Sequence, residues 1–211
     1  MKQATSKVLF DYWNAIRRDR LAPRRFDIEP SQIAAQLPDT FILERTEAFK
    51  FRFRLAGTRI CENFGHDLRG CEFGDLWSSD DQTSIDAMLV GPLQQGAVGV
   101  VEFGAETFAK QCVDWEMVLL PMVQTGPGVD RLLGGLTPID RPGWLNTHTL
   151  VRQTITRVSQ IWPDGRPHAE LRQSPKNEDR QSPFRPDQTF SRIVTSERRS
   201  FRVYEGGLSK D

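Results

Sequence analysis

Apolar residues along the first 139 positions recur with two periods, one near 3.6 and one of 2, and the switches between them separate helices from strands. Near the start, Leu9, Tyr12, Trp13 and Ile16 fall at i, i+3, i+4 and i+7. That spacing puts an aromatic stripe on one face of an amphipathic helix. Ser6 is its expected cap, and Arg17, Arg18 and Arg20 suit its electronegative C-terminal end. Pro30 fits a first helical position, so a short helical turn is expected from there, ending before Pro38. The period then shortens to 2. Thr40 to Glu44 is a short buried run. Phe49 to Ala56 alternates, with Phe49, Phe51, Phe53 and Leu55 on one side and Lys50, Arg52 and Arg54 on the other. This predicts a strand of an antiparallel sheet that keeps one face wet.

Helical signals return at Thr58, which can cap a helix through Phe64 that Gly65 ends in a left-handed conformation. Ser79 with Gln82 makes a capping box, Asp80 and Asp81 complement the helix dipole, and Ile85, Met88 and Leu89 mark a buried face. Three further strands are read at Val98 to Thr107, Val113 to Leu120 and Arg131 to Leu136. In the middle one, Trp115, Met117 and Leu119 point one way and Asp114, Glu116 and Val118 the other. The expected class is α+β: about five antiparallel strands with helices on one face, an N-terminal amphipathic helix and a C-terminal extension.

Composition sharpens the boundaries. A chain of 211 residues with 38% hydrophobic positions suits one domain with appendages. We place a helical cap at 1–39, the sheet-and-helix domain at 40–139 and an extension at 140–211. Lys plus Arg balance Asp plus Glu at 28 each, so no overall field favours a dedicated DNA binder. The charge is unevenly spread: 15 basic and 19 acidic residues lie before position 140, and 13 basic and 9 acidic from Asp140 onward. Gln173 to Asp187 holds three prolines and no aliphatic residue, the composition of a loop or disordered linker. No apolar run is long enough for a membrane span and no secretory signal opens the chain, so a cytoplasmic location is expected. Cys61, Cys71 and Cys112 are an odd, sparse set that reads as reduced thiols.

The segment Phe64-Gly-His-Asp-Leu-Arg-Gly-Cys-Glu-Phe-Gly-Asp-Leu-Trp77, followed by Asp80-Asp81, resembles the middle of a PAS sensory domain. Asp11-Tyr-Trp13, Phe53-Arg-Leu-Ala-Gly-Thr-Arg59 and Val129-Asp-Arg-Leu-Leu-Gly134 are similar to stand-alone PAS proteins of the alphaproteobacterial type, long catalogued without an assigned function. The resemblance covers about residues 6 to 139, and Phe201-Arg-Val-Tyr-Glu-Gly-Gly207 resembles the tails of the same family. It implies an input module that binds a small molecule or mediates dimerisation and passes the change to a partner. Flavin-binding relatives carry a reactive Cys three residues after the second Gly, where Phe73 stands here, whereas Cys71 follows Gly70 directly. Haem-binding relatives take a His from the helix that here begins near Asp80, which has none. No cofactor is therefore expected.

Two sets of candidate residues follow. Phe53, Leu55, Ile60, Phe64, Phe73, Trp77, Trp115 and Met117 either line a ligand cavity between sheet and helices or fill the core themselves. Leu9, Tyr12, Trp13 and Ile16 either pack back on their own sheet or form an interface with a second copy or a protein partner. Cys61, His66 and Cys71 fall in a C-x4-H-x4-C spacing without a fourth ligand, so no metal is expected. Nucleophile elbows, phosphate loops and zinc-protease motifs are absent, and Asp80 and Asp81 suit a helix start better than paired catalysis. The reading is a non-enzymatic cytoplasmic regulator acting through protein contacts. The alternative is a small-ligand sensor, and a third reading is a nucleic-acid-associated regulator using Arg198, Arg199 and Arg202 of the basic tail.

Overall fold

The structure, a computed structural model, describes residues 1–165. Helix α1 (Ala4–Arg17) leads through a 3-10 turn (Arg25–Asp27) and a longer 3-10 segment (Pro30–Asp39) into strands β1 (Thr40–Arg45) and β2 (Phe51–Ala56). Helix α2 (Thr58–Phe64), a 3-10 turn (Phe73–Leu76) and helix α3 (Ser79–Gln95) follow. Strands β3 (Val98–Thr107), β4 (Cys112–Met122), β5 (Arg131–Pro138) and β6 (Leu150–Ile161) complete the order. The strands form one sheet in the order β2-β1-β5-β4-β3-β6, with every neighbouring pair antiparallel. The α+β class holds, and the sheet has six strands where about five were expected.

The sixth strand corrects the domain boundary at 139. β6 runs along β3 from Val98↔Ile161 to Thr107↔Leu150, so the first part of the expected extension is integral to the sheet. A proline explains part of its docking. Pro92 lies inside α3 and has no N–H for the carbonyl of Met88 four residues earlier. Gln160 of β6 supplies the missing donor, its Nε2 lying 2.7 Å from the Met88 oxygen. Gly91 is what lets it approach, since a Cβ there would lie 2.4 Å from the Gln160 side chain. The segment Gln173 to Asp187 and the basic tail lie outside the described residues.

The wet sheet face is the second correction. β4 is apolar on both sides: Trp115, Met117 and Leu119 join the core under α2 and α3, while Val118, Leu120 and Met122 join a second core with Leu9, Trp13, Ile28 and Ile33. Because alternate residues of a strand point to opposite faces, a strand apolar at successive positions must be covered twice. We call the side under α2 and α3 the front, and the side under α1 and Pro30–Asp39 the outer face.

Helix ends differ from expectation by a residue or more. α1 begins before Ser6, which is buried inside it. The carboxylate of Glu116 on β4 accepts from the backbone N–H groups of Lys2 (2.5 Å) and Gln3 (2.9 Å), placing a negative charge at the positive end of the helix dipole. Gly57, not Thr58, is the residue before α2, whereas Gly65 ends it at φ 74° as expected. Ser78, not Ser79, caps α3 by accepting from the Asp81 N–H. Gln82 instead donates to the carbonyls of Gly74 and Trp77.

Candidate functional site

Between the front of the sheet and the helices lies a chain of aromatic rings. Phe41 of β1 meets Phe53 of β2 at 5.6 Å between centroids. Phe53 meets Phe73 at 5.8 Å, Phe73 meets Trp77 at 6.0 Å, Trp77 meets Phe103 of β3 at 5.1 Å, and Phe103 stacks on Trp115 at 6.3 Å. Most of these contacts are edge-on or tilted, the arrangement the ring quadrupole favours. The turn Phe73–Leu76 exists to deliver two of the rings, and Phe73 and Trp77 at its ends both point into the sheet. The space left over is about 10 Å³, room for roughly one water molecule.

Five expected pocket residues, Phe53, Phe64, Phe73, Trp77 and Met117, border that remnant. Ile60 is buried in the same core without bordering it, and Trp115 sits one ring away behind Phe103. Leu55 is a correction: it lies on the outer face. The register between β1 and β2 runs Leu43↔Phe53 and then Ile42↔Leu55, so Arg54 is an extra residue in a β-bulge. A bulge reverses the alternation beyond it, and Leu55 joins Ile42 on the opposite side from Phe53. Phe41, Phe103 and Gln153 border the remnant without having been named as candidates. Alternation with Val101 and Ala105 marks Phe103, and Phe41 lies in the run Thr40 to Glu44. Gln153 belongs to β6, for which no strand was read.

Three polar groups stand out in this apolar interior. The indole N–H groups of Trp77 and Trp115 are buried without an acceptor, and the nearly buried Gln153 side chain borders the remnant. Unpartnered buried donors are uncommon because each forfeits its hydrogen bonds to water. Beside this core, a groove of about 620 Å³ opens between β2 and α3, with Lys50, Arg52, Glu72 and Asp86 on its walls.

The candidate interface divides. Leu9 and Trp13 are fully buried on the domain's own sheet, and the Trp13 Nε1–H donates to the Pro121 carbonyl at 2.7 Å. The Arg17 guanidinium lies 5.5 Å above the Trp13 ring and pairs with Asp164 at 2.6 Å. Of the two alternatives, Leu9 and Trp13 pack back on their own sheet, which removes them from the candidate interface: the outer side of β4 and β5 is apolar and α1 is its cover. Tyr12 and Ile16 are half-buried at the rim, where the Tyr12 hydroxyl accepts from the Glu29 N–H at 2.7 Å. Burial pushes the Glu116 carboxyl up, but the Lys2 and Gln3 amides, together with the Ser6 hydroxyl and the N-terminal charge, outweigh it and hold the group below its ordinary range. Elsewhere, the Cys61 thiol lies 4.0 Å from Asp67 Oδ1, and His66 Nδ1 lies 2.9 Å from the Phe64 carbonyl. No three His, Cys, Asp or Glu side chains among the described residues gather closely enough to hold a metal ion.

A family model described as a PAS domain matches residues 1–137, from the start of the chain to the penultimate residue of β5. The chain belongs to the PAS-domain family. No significant match was found among curated proteins or solved structures. The matched range holds α1, both candidate sets and the first five strands, so β6 and its contacts with α3 lie beyond the PAS match. A sensory or regulatory role is what membership suggests. No helix among the described residues is long and apolar enough to cross a membrane.

Proposed function

We propose that this PAS domain is a non-enzymatic cytoplasmic regulator that signals through protein contacts. The observation that supports the reading is the filled interior. Ligand cavities enclose about 300 to 1,000 Å³, whereas the aromatic chain leaves about 10 Å³ among its rings, and the groove between β2 and α3 beside it carries Lys50, Arg52, Glu72 and Asp86 on its walls. A module with a packed centre transmits by what its surface touches. Phe26 and Phe108, 85% and 84% exposed, are large anchors of the kind that dominate interface energetics, and Tyr12 and Ile16 add a half-buried rim on α1. A second copy and an unrelated protein are both candidate partners.

A second reading, a small-ligand sensor, is favoured by the unpartnered Trp77 and Trp115 N–H groups, which a polar ligand displacing the rings would satisfy. The nucleic-acid reading rests on tail residues outside the described range. Native mass spectrometry and absorbance of the purified full chain separate the first two. The contact reading expects the bare chain mass, no chromophore, and a discrete crosslinked protein adduct when a photoreactive phenylalanine replaces Phe26 or Phe108. A retained small molecule that Phe73→Trp expels would overturn it in favour of the sensor.

A further inference from the structure

The bulge at Arg54 builds a second cavity on the other side of the sheet. Once Leu55 turns outward, it and Ile42 face the segment Pro30–Asp39, and with Leu133, Ile28, Ile33 and Leu37 they enclose about 400 Å³. The volume is within the range of small-molecule sites. The segment is held off the sheet here for local reasons. Its backbone breaks from helical geometry at Ile33 (φ −122°). Its end rests on Gly57, where a Cβ would lie 2.3 to 2.5 Å from the backbone of Leu37 and Pro38. Two apolar side chains at the mouth, Leu37 and Leu55, are more than a third exposed.

One cation borders this apolar wall. Arg25 is half-buried, and its backbone N–H is fixed on the Val123 carbonyl at 2.8 Å. Its guanidinium has neither a hydrogen bond nor an ion pair among the described residues. The nearby acid is already engaged: Asp27 pairs with Arg20 at 2.7 Å and accepts from the Arg24 N–H at 2.8 Å. A lone planar guanidinium matches a carboxylate through two parallel hydrogen bonds. An apolar cavity with a single such group at its wall suits a molecule that is apolar along its length and anionic at one end.

We infer that the outer-face cavity binds a free medium-chain carboxylic acid, its acyl chain between the Pro30–Asp39 segment and the β1/β2 end of the sheet and its carboxylate on Arg25. The site is separate from the aromatic centre, so it stands whichever signalling reading holds there.

Isothermal titration of the full chain with octanoate, decanoate and 1-octanol tests the assignment. Each buried methylene is worth roughly a fourfold gain in affinity, so decanoate is expected to bind about 15-fold more tightly than octanoate. Arg25→Gln is expected to weaken decanoate at least about tenfold and leave 1-octanol unchanged. Leu55→Trp, at the exposed mouth, is expected to abolish uptake of both while melting within about 2 °C of wild type. Phe73→Leu on the front is expected to leave binding intact, which separates this site from the centre. Absence of binding at millimolar decanoate, equal affinity for the two chain lengths, or an Arg25→Gln variant that binds like wild type would overturn the inference. So would a concentration-dependent dimer that Leu55→Trp dissociates and that takes up no decanoate, since the cavity would then belong to a second copy.

Discussion

On the front of the sheet, rings from β1, β2, β3, β4 and the Phe73–Leu76 turn interlock until about 10 Å³ remains among them, and the groove beside them, between β2 and α3, has charged walls. On the outer face, one regular helix and a kinked 3-10 segment cover a smaller core and leave about 400 Å³ open beside them. The difference lies in the covering elements. Large rigid rings delivered by a tight turn reach into one another's gaps, whereas a 3-10 segment with prolines at both ends cannot follow the twist of the strands beneath it. One sheet thus carries a centre that resists change and a flank with room for it.

The comparison breaks most visibly at Phe73. It touches Phe41, Phe53 and Trp77, so Phe73→Ala is expected to cost about 3 to 5 kcal/mol. That is a large share of the total stability of roughly 5 to 15 kcal/mol. Thermal melts and denaturant titrations measure it. A loss below about 1 kcal/mol would mean that the rings are not interlocked and that the front has slack like the outer face.

Glu116→Gln probes how the outer cover is tied down. The two amide contacts, one to each carboxylate oxygen, are expected to be worth about 2 to 3 kcal/mol together. Because the folded-state pKa of Glu116 is lowered, its stabilisation is fully present above the unfolded-state value and is lost as pH falls through the folded-state value. Wild type should therefore lose stability on acidification through that window, and the Gln variant should lose correspondingly less. The α1 amides should exchange faster in the variant while those of β3 and β4 stay protected. Equal acid sensitivity in the two proteins would remove Glu116 as the tether.

Adjacent glycines on β5 give a paired test of the two faces. A Cβ on Gly134 would lie 2.0 Å from the Phe41 ring, and one on Gly135 would lie 2.5 Å from the tip of Leu9. The ring is wedged between Phe53 and Phe73, while Leu9 belongs to the looser cover. Gly134→Ala is expected to cost about 2 to 3 kcal/mol and Gly135→Ala about 1 kcal/mol. A reversed order in chemical denaturation would show that α1 is the more rigid cover.

Much of this was legible in the sequence. The spacing from Leu9 to Ile16 marked a helix, the Trp115-Met117-Leu119 alternation marked a front face, and the resemblance carried by the Phe64-to-Trp77 segment implied the PAS fold. What escaped was tertiary. Glu116 looked like a solvent-facing strand residue because its partners, the Lys2 and Gln3 amides, come from the other end of the domain. β6 reads Leu150-Val-Arg-Gln-Thr-Ile155, too weakly alternating to claim a place, and its burial depends on pairing with β3. The burial of Trp13 was open for the same reason: a helix stripe shows that a face is apolar and leaves its partner undefined.

Leu55 offers the finest discrimination, because strict alternation and the observed register give opposite answers for it. If it shared a face with Phe53, as the pattern Phe49-Phe51-Phe53-Leu55 suggests, truncation would open a cavity in the aromatic centre and cost about 2 to 5 kcal/mol. The bulge instead turns it outward, 44% exposed at the mouth of a space that is already open. Few contacts are lost and little new cavity is made, so Leu55→Ala is expected to cost less than about 1 kcal/mol, while Phe53→Ala, two residues earlier, costs about 3 to 5 kcal/mol. Melting both variants beside wild type reads the bulge directly. Comparable losses at the two positions would put Leu55 back on the front, restore an unbroken β2, and remove the wall on which the outer cavity depends.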